Sequence, residues 1–211
     1  EDTEGIGYIG NGQFVVAEER DQAICLLTWP AVTSPIPTID RASLPRVTLG
    51  PFVNNDGIEG ICFDPDTGRY FAVKEKNPQQ VLNVDIDFEA QSASSFEQFD
   101  PLFLGVSDLS DIAVLTGVDR LAGSPERDNL LIISQASRRL LEVNRAGVVQ
   151  SSFNLTDISF YAEGVTIDEH GVIYIVDETS NLYVLESCRA DFDGNGMHDV
   201  PDIFAFLSAW Y

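Results

Sequence analysis

The sequence predicts an all-β protein, a β-propeller of four-stranded antiparallel blades followed by a short C-terminal calcium loop and helix, and three observations carry the prediction. A phrase made of an acidic residue, a small residue and Ile or Val recurs as Glu4-Gly5-Ile6, Glu59-Gly60-Ile61, a degenerate Ser110-Asp111-Ile112 and Glu163-Gly164-Val165, at intervals of 55, 51 and 53 residues. Such intervals are the size of propeller blades, each of which is one small sheet that must bury its faces against neighbours. Each phrase opens a series of short apolar runs separated by turn residues. A second column, Glu19, Glu75, Gln135 and Glu178, follows the first by 15, 16, 25 and 15 residues.

In the first module, Glu4 to Ile9, Gln13 to Ala17 and Ala23 to Thr28 are β-type runs, divided by Gly10-Asn11-Gly12 and by the polar stretch Glu18 to Gln22. The second has Ile58 to Phe63, the turn Asp64-Pro65-Asp66-Thr67-Gly68, Arg69 to Lys74, Val81 to Ile86, and a weaker fourth run near Phe96 to Phe99. Leu109 to Leu115, an enlargement around Gly117 to Asp128, Asn129 to Ser134, Arg139 to Asn144 and Val148 to Asn154 make up the third. The fourth offers only three strands, Ala162 to Asp168, Val172 to Val176 and Asn181 to Leu185, before the chain changes character at Glu186. Propellers commonly close by letting a strand from one chain end complete the blade at the other. The expectation is therefore a propeller over residues 1–186, with at least four modules and a further strand and blade upstream of Glu1, and a separate unit over residues 187–211.

Composition narrows the partners. Thirty-four acidic against twelve basic residues leave a formal charge of −22, and Lys74 and Lys76 are the only lysines. Nucleic acid is excluded as a partner, because phosphate binding needs clustered Lys or Arg. Cations are the natural counter-charge. No stretch approaches the ~20 apolar residues of a membrane span. Cys25, Cys62 and Cys188 have no metal-ligand spacing, and Cys25 and Cys62 sit inside apolar runs as buried thiols. His170 falls in a turn and His198 in the acidic tail, with no Ser or Cys nucleophile motif beside either.

In a propeller the innermost strand of every blade faces the central channel, so Glu4, Glu59, Ser110 and Glu163 are expected as a ring at one mouth. Glu19, Glu75, Gln135 and Glu178 are expected near the same mouth, one strand further out. Two readings fit these columns. Converging carboxylates form an anionic funnel for a metal ion or for a cationic or hydroxylated small ligand; alternatively, each Glu caps backbone amides and locks adjacent blades together.

The tail carries the sharpest chemical motif. Asp191-Phe192-Asp193-Gly194-Asn195-Gly196-Met197-His198-Asp199-Val200-Pro201-Asp202 follows the calcium-loop pattern D-x-[DN]-x-[DN]-G. Asp191, Asp193 and Asn195 would supply side-chain oxygens, Met197 a backbone carbonyl, Asp199 a direct or water-bridged ligand, and Asp202 the closing carboxylate. Ile203, Phe206, Leu207 and Trp210 then mark one apolar stripe of a short helix. This loop and helix resemble a single dockerin-type repeat, where a dockerin normally has two. Millimolar extracellular calcium suits a weak single site of this kind, which points to a secreted, periplasmic or cell-surface bacterial protein.

The phrases Asp56-Gly57-Ile58-Glu59-Gly60-Ile61-Cys62-Phe63-Asp64-Pro65, Ala72-Val73-Lys74-Glu75-Lys76-Asn77-Pro78 and Ile133-Ser134-Gln135-Ala136-Ser137-Arg138-Arg139-Leu140-Leu141-Glu142-Val143 resemble the SdiA-regulated (YjiK-like) family of bacterial β-propellers over roughly Glu1 to Glu186. That resemblance implies a propeller fold and an exported protein. Similar Glu-Gly-Ile phrases occur in phytase-like and esterase-like propellers. The favoured expectation is an exported, non-catalytic propeller that binds a small ligand in its channel and an extracellular protein through its calcium-loaded tail. The alternative is a calcium-dependent, phytase-like or esterase-like hydrolase acting at the acidic mouth, for which Lys74 is the candidate that breaks the repeat.

Overall fold

Each repeat phrase becomes part of the innermost strand of one antiparallel sheet, or leads directly into it, in the computed structural model, which describes residues 2–29, 38–186 and Phe204. The first sheet is β1 (Thr3–Gly10), β2 (Gln13–Glu18), β3 (Ala23–Thr28) and β4 (Arg46–Thr48), paired in that order. The second is β5 (Ile58–Asp64), β6 (Arg69–Lys74), β7 (Gln80–Asp87) and β8 (Ser92–Phe99). The third is β9 (Asp111–Val114), β10 (Leu130–Ser134), β11 (Arg139–Val143) and β12 (Val149–Asn154). The fourth has, among the described residues, three strands, β13 (Ala162–Ile167), β14 (Ile173–Asp177) and β15 (Leu182–Leu185).

Two strands depart from the sequence reading. β4 was not anticipated: it is three residues long, contributes only Val47 to the core and lies between Pro45 and Gly50, so no period-two pattern has room to show. β8 starts at Ser92 rather than near Phe96, because its first half is polar and held by pairing with β7. The enlargement in the third module folds as two 3-10 turns, Asp119–Leu121 and Pro125–Asp128. Asn11 and Gly12 both take positive φ, of 52° and 74°, as a tight primed hairpin turn between β1 and β2 requires. At the corresponding turn of the second sheet, Asp64 accepts hydrogen bonds from the Asp66 amide at 3.1 Å and the Thr67 hydroxyl at 2.9 Å.

Apolar cores fill the seams between consecutive sheets. Val15, Ala17, Ile24 and Val47 meet Ile58, Ile61 and Ala72 between the first and second sheets. Phe71, Val73, Val81 and Phe99 meet Leu109, Ile112, Leu130 and Leu141 between the second and third. Ala113, Ile133 and Leu140 meet Ala162, Val165 and Ile175 between the third and fourth. Central sheets thus bury both faces, which is why β10 reads Leu-Leu-Ile-Ile-Ser with all five residues buried. The central channel opens at one end on an apolar cavity of about 380 Å³, with Ile6, Ile61, Ile112 and Val165 among its walls. Cys25 and Cys62 are buried free thiols, and burial pushes both thiol pKa values up. Cys188 and the calcium-loop residues Asp191, Asp193, Asn195, Met197, Asp199 and Asp202 lie outside the described residues.

Burial along the repeat shows where the array of sheets is open. The apolar residue of the phrase faces the preceding sheet, and its exposure is 1% at Ile61, 1% at Ile112 and 6% at Val165, but 63% at Ile6. The second-strand residue facing the following sheet is fully buried as Ala17, Val73 and Ile133, but Val176 is 47% exposed. β1 packs on β5, β5 on β9 and β9 on β13, and no comparable packing joins β13 to β1 among the described residues. Ile6→Ala is therefore expected to change unfolding free energy by no more than about 0.5 kcal/mol, while Ile61→Ala costs about 2–4 kcal/mol. Denaturant unfolding of the two variants measures the difference, and equal losses would mean that the first sheet is covered after all.

Candidate functional site

The innermost strands approach one another so closely that the small residue of the phrase is a steric requirement. A Cβ on Gly5 would lie 2.6 Å from the Glu59 carbonyl oxygen, and one on Gly60 would lie 2.3 Å from Asp111 Oδ1. Beside each glycine the pairing with the second strand shifts register, between Thr3 and Gly5, Ile58 and Gly60, and Ala162 and Gly164. Glu4, Glu59 and Glu163 occupy these bulges, a position that re-aims a side chain out of the ladder. All three border a single cavity of about 440 Å³ at the end of the channel opposite the apolar one.

Ser110 and the whole second column, Glu19, Glu75, Gln135 and Glu178, line the same cavity. The two columns read from the sequence thus come together in space. Asp2, Asp108, Asn55 and Arg20 join them, and Arg20 is the one basic residue among the described residues lining the cavity. One oxygen each from Asp2, Glu4 and Glu19 lie within 4.8 Å of one another, and so do oxygens from Glu19, Glu59 and Glu75. Oxygens this close can sit on opposite sides of a hard cation whose ligand distances are about 2.4 Å.

Part of the acidic column also braces the sheets. Glu19, almost fully buried, accepts a hydrogen bond at 3.3 Å from the Gly57 amide of the second sheet. Glu163 is hydrogen-bonded to the Ser110 side chain, and the Ser110 hydroxyl also accepts from the Gln135 amide at 3.3 Å. At the rim Lys76 pairs with Glu75, and Arg20 pairs with Asp2 at 2.7 Å. Buried Asp108 accepts from the Ser134 hydroxyl and from the Ala136 amide at 2.9 Å, holding the turn that carries Gln135. Lys74 is buried at the end of β6, donates to the Asn77 carbonyl at 3.5 Å and is not among the residues lining the acidic mouth.

Crowded like charges in a partly desolvated site favour the protonated acid. Burial, with the charges of Glu19, Glu4, Glu75 and Glu163, pushes Glu59 up to about 9. Glu163 is pushed up to about 7 by burial and by Glu178, Asp108 and Glu4, against the hydrogen bond from Ser110. Glu4 is raised by burial and by Asp2, Glu19 and Glu178.

Asp111 is the residue whose role the sequence did not disclose. It stands where the other modules have glycine, and its Oδ2 accepts a hydrogen bond at 2.8 Å from the Val165 amide of β13, while Oδ1 is buried without a partner. Burial pushes its carboxyl up to about 7. It fills the space between β5, β9 and β13 that a glycine would leave, and the break in the repeat was the one signal of it. Asp2 and Asp108 lie outside both repeat columns, so periodicity gave no reason to single them out.

The SdiA-regulated family model matches residues 1–186, and the chain belongs to this family. Among solved structures the chain is similar to YCF48 in its complex with a D1 peptide, with 12% identity and a TM-score of 0.50, covering 88% of this chain and 51% of that one. It is also similar to a Bacteroides caccae protein of unknown function (11% identity, TM-score 0.49, 88% and 61% covered). A third similar structure is a Bacteroides thetaiotaomicron protein of unknown function (13%, 0.48, 88% and 41%). The chain spans 41% to 61% of the length of these proteins. The likeness to YCF48 bears on the fold, a β-propeller.

Two outcomes follow from the site's geometry. The folded protein holds a proton on Glu59 up to about pH 9, whereas the unfolded chain releases it near the ordinary value of 4.5. Stability without added divalent cations should therefore be greatest below about pH 4.5 as far as this group contributes, and fall as pH rises towards 9. Glu59→Gln should flatten that decline in thermal unfolding followed by circular dichroism across the same range. Gly60→Ala, which forces a methyl group onto Asp111, should cost about 1–3 kcal/mol in chemical denaturation.

Proposed function

We propose that this SdiA-regulated propeller is a non-catalytic binding protein that captures a hard divalent cation, or the cationic group of a small ligand, at its acidic mouth. The observation that carries the reading is the pair of carboxylate trios that share Glu19, Asp2/Glu4/Glu19 and Glu19/Glu59/Glu75. Bringing these groups together desolvates them and drives Glu59 towards its neutral form. A cation at the centre would reverse that cost by letting each carboxylate ionise against an opposite charge. Binding should then release protons and strengthen as pH rises from about 6 to 9.

The placement of Lys74 favours binding over hydrolysis. Lys74, the candidate cation for ester chemistry, is buried, donates to the Asn77 carbonyl and does not line the acidic cavity. We propose further that the chain is exported and that residues 191–202 hold calcium through Asp191, Asp193, Asn195, Met197, Asp199 and Asp202. The loop would order the apolar stripe Ile203, Phe206, Leu207 and Trp210 as an attachment element for an extracellular protein partner. This part rests on the spacing of oxygen-bearing residues in the sequence.

Calorimetric calcium titration of the full chain distinguishes the two sites. Glu19→Gln, which touches both trios, should weaken the mouth site at least about tenfold and leave the tail site intact. Asp191→Asn with Asp193→Asn should do the reverse. A wild-type isotherm unchanged by Glu19→Gln would sink the mouth assignment, and turnover of a phosphate or carboxylic ester by the full chain would replace binding with hydrolysis.

A further inference from the structure

We infer that the mouth end of the propeller is an interaction surface for a basic protein segment, whose arginine enters the acidic cavity while the apolar residues beside it rest on an aromatic rim. The inference deepens the reading of the mouth as a cation site and rests on it. The aromatic rim is a separate observation.

The rim follows from topology. Each sheet starts its innermost strand at the mouth, and four antiparallel strands return the chain to the end where it began. The connections between sheets, residues 49–57, 100–110 and 155–161, therefore all lie at the mouth end. Each of them leaves aromatic side chains in solvent: Phe52 is 68% exposed, Phe103 77%, and Phe160 and Tyr161 are also exposed. Phe52 and Phe103 stand seven residues before Glu59 and Ser110, the channel residues of their sheets. The connections are pinned in place. Leu104 and Leu155 are buried, the Val53 amide donates to the Arg20 carbonyl at 2.8 Å, and the Glu178 amide donates to the Tyr161 carbonyl at 3.1 Å. Arg20 and Glu178 line the acidic cavity, and so do Asn55 and Asp108 of the first two connections. The aromatic side chains are thus carried by segments that form the cavity wall or bond to it. Apolar side chains exposed singly are ordinary. Aromatic ones recurring in three connections at one end mark an interaction surface.

Charge complementarity names the occupant. The cavity wall is rich in carboxylates, and Arg20, its one basic residue among those described, is already paired with Asp2. In a chain of formal charge −22 such a mouth repels phosphate-bearing partners and steers basic ones towards it. A guanidinium suits the site better than an ammonium. Its planar fork can bond two carboxylates at once, and oxygens of Glu19, Glu59 and Glu75 lie within 4.8 Å of one another. A guanidinium also stacks on aromatic faces, and the chain already makes this contact at the rim, where the Arg138 guanidinium lies 4.1 Å from the centroid of the Phe160 ring. Phe52 and Phe103 are left mostly to solvent. A ligand small enough to fit within about 440 Å³ does not reach side chains spread over three connections around the cavity. The occupant is therefore a polypeptide with an arginine at the centre of its contact and apolar side chains beside it, the arrangement of a buried anchor inside a water-excluding ring.

The test uses the full chain and a fluorescein-labelled peptide, Gly-Leu-Arg-Leu-Gly with blocked ends, in fluorescence anisotropy without divalent cations, with calorimetric calcium titration alongside. Saturable binding is expected. Replacing both leucines of the peptide by glycine, or introducing Phe52→Ser with Phe103→Ser in the protein, should each weaken binding about tenfold, and the two changes together should cost little more than either alone. The paired serine changes alter exposed side chains and should leave the thermal midpoint and calcium binding in place. Glutamine for the peptide's arginine, and Glu19→Gln in the protein, should each weaken peptide binding at least about tenfold. The inference fails, with the cation site left standing, if calcium titrates at the mouth while the leucine peptide does not bind, while the glycine peptide binds as tightly, or while the serine variant binds the leucine peptide as well as wild type does. Calcium and peptide binding both unchanged by Glu19→Gln would instead overturn the cation site itself.

Discussion

Everything in this fold depends on how closely the innermost strands approach one another. At Gly5 and Gly60 the spacing admits no added side chain: a Cβ on Gly60 would strike Asp111, and one on Gly5 the Glu59 carbonyl, while between β9 and β13 the room is taken by the Asp111 side chain itself. With the strands that close, Ile61 and Ile112 can be driven fully into the seams, and the bulge beside each glycine throws the neighbouring glutamate out of the ladder towards the channel. The Glu-Gly-Ile phrase is therefore one mechanical unit. Its three residues respectively line the mouth, permit contact and fill the core.

That mechanics concentrates charge. Every sheet built this way delivers a polar residue to the same end of the channel, and the second strand delivers another, until carboxylates outnumber the basic groups able to answer them. Some of this is structural, as Glu19 shows by accepting the Gly57 amide across a seam. The bracing and the funnel are not competing explanations, since the hydrogen bond that locks two sheets also fixes where the carboxylate points. The symmetry of the mouth is broken by Ser110 and Gln135 in the third module, and by the pairing of Arg20 with Asp2 and of Lys76 with Glu75.

Fold and mouth were legible in the sequence to different depths. The strands of the central sheets could be read because both of their faces are buried, which makes their apolar runs nearly continuous. β4 could not, because three residues with one buried Val47 carry no periodicity. The convergence of Glu4, Glu19, Glu59, Glu75, Glu163 and Glu178 followed from offset alone, since equal positions in equal modules must lie at equal heights along the channel. Asp111 was visible only as a defect in the phrase. Its function in bonding Val165 depends on a neighbour 54 positions later, a relation that no local pattern contains.

The unequal exposure of Ile6 and Ile61 has a consequence for how such proteins change in size. Each sheet has a leading face and a trailing face, and every seam joins one of each, so all seams are the same joint made with different residues. No joint specifies how many sheets there are. A duplicated or deleted repeat would leave the surviving seams with the partners they already accept, and would add or remove one carboxylate step at the mouth. The charge at the mouth and the number of sheets would in this way change together.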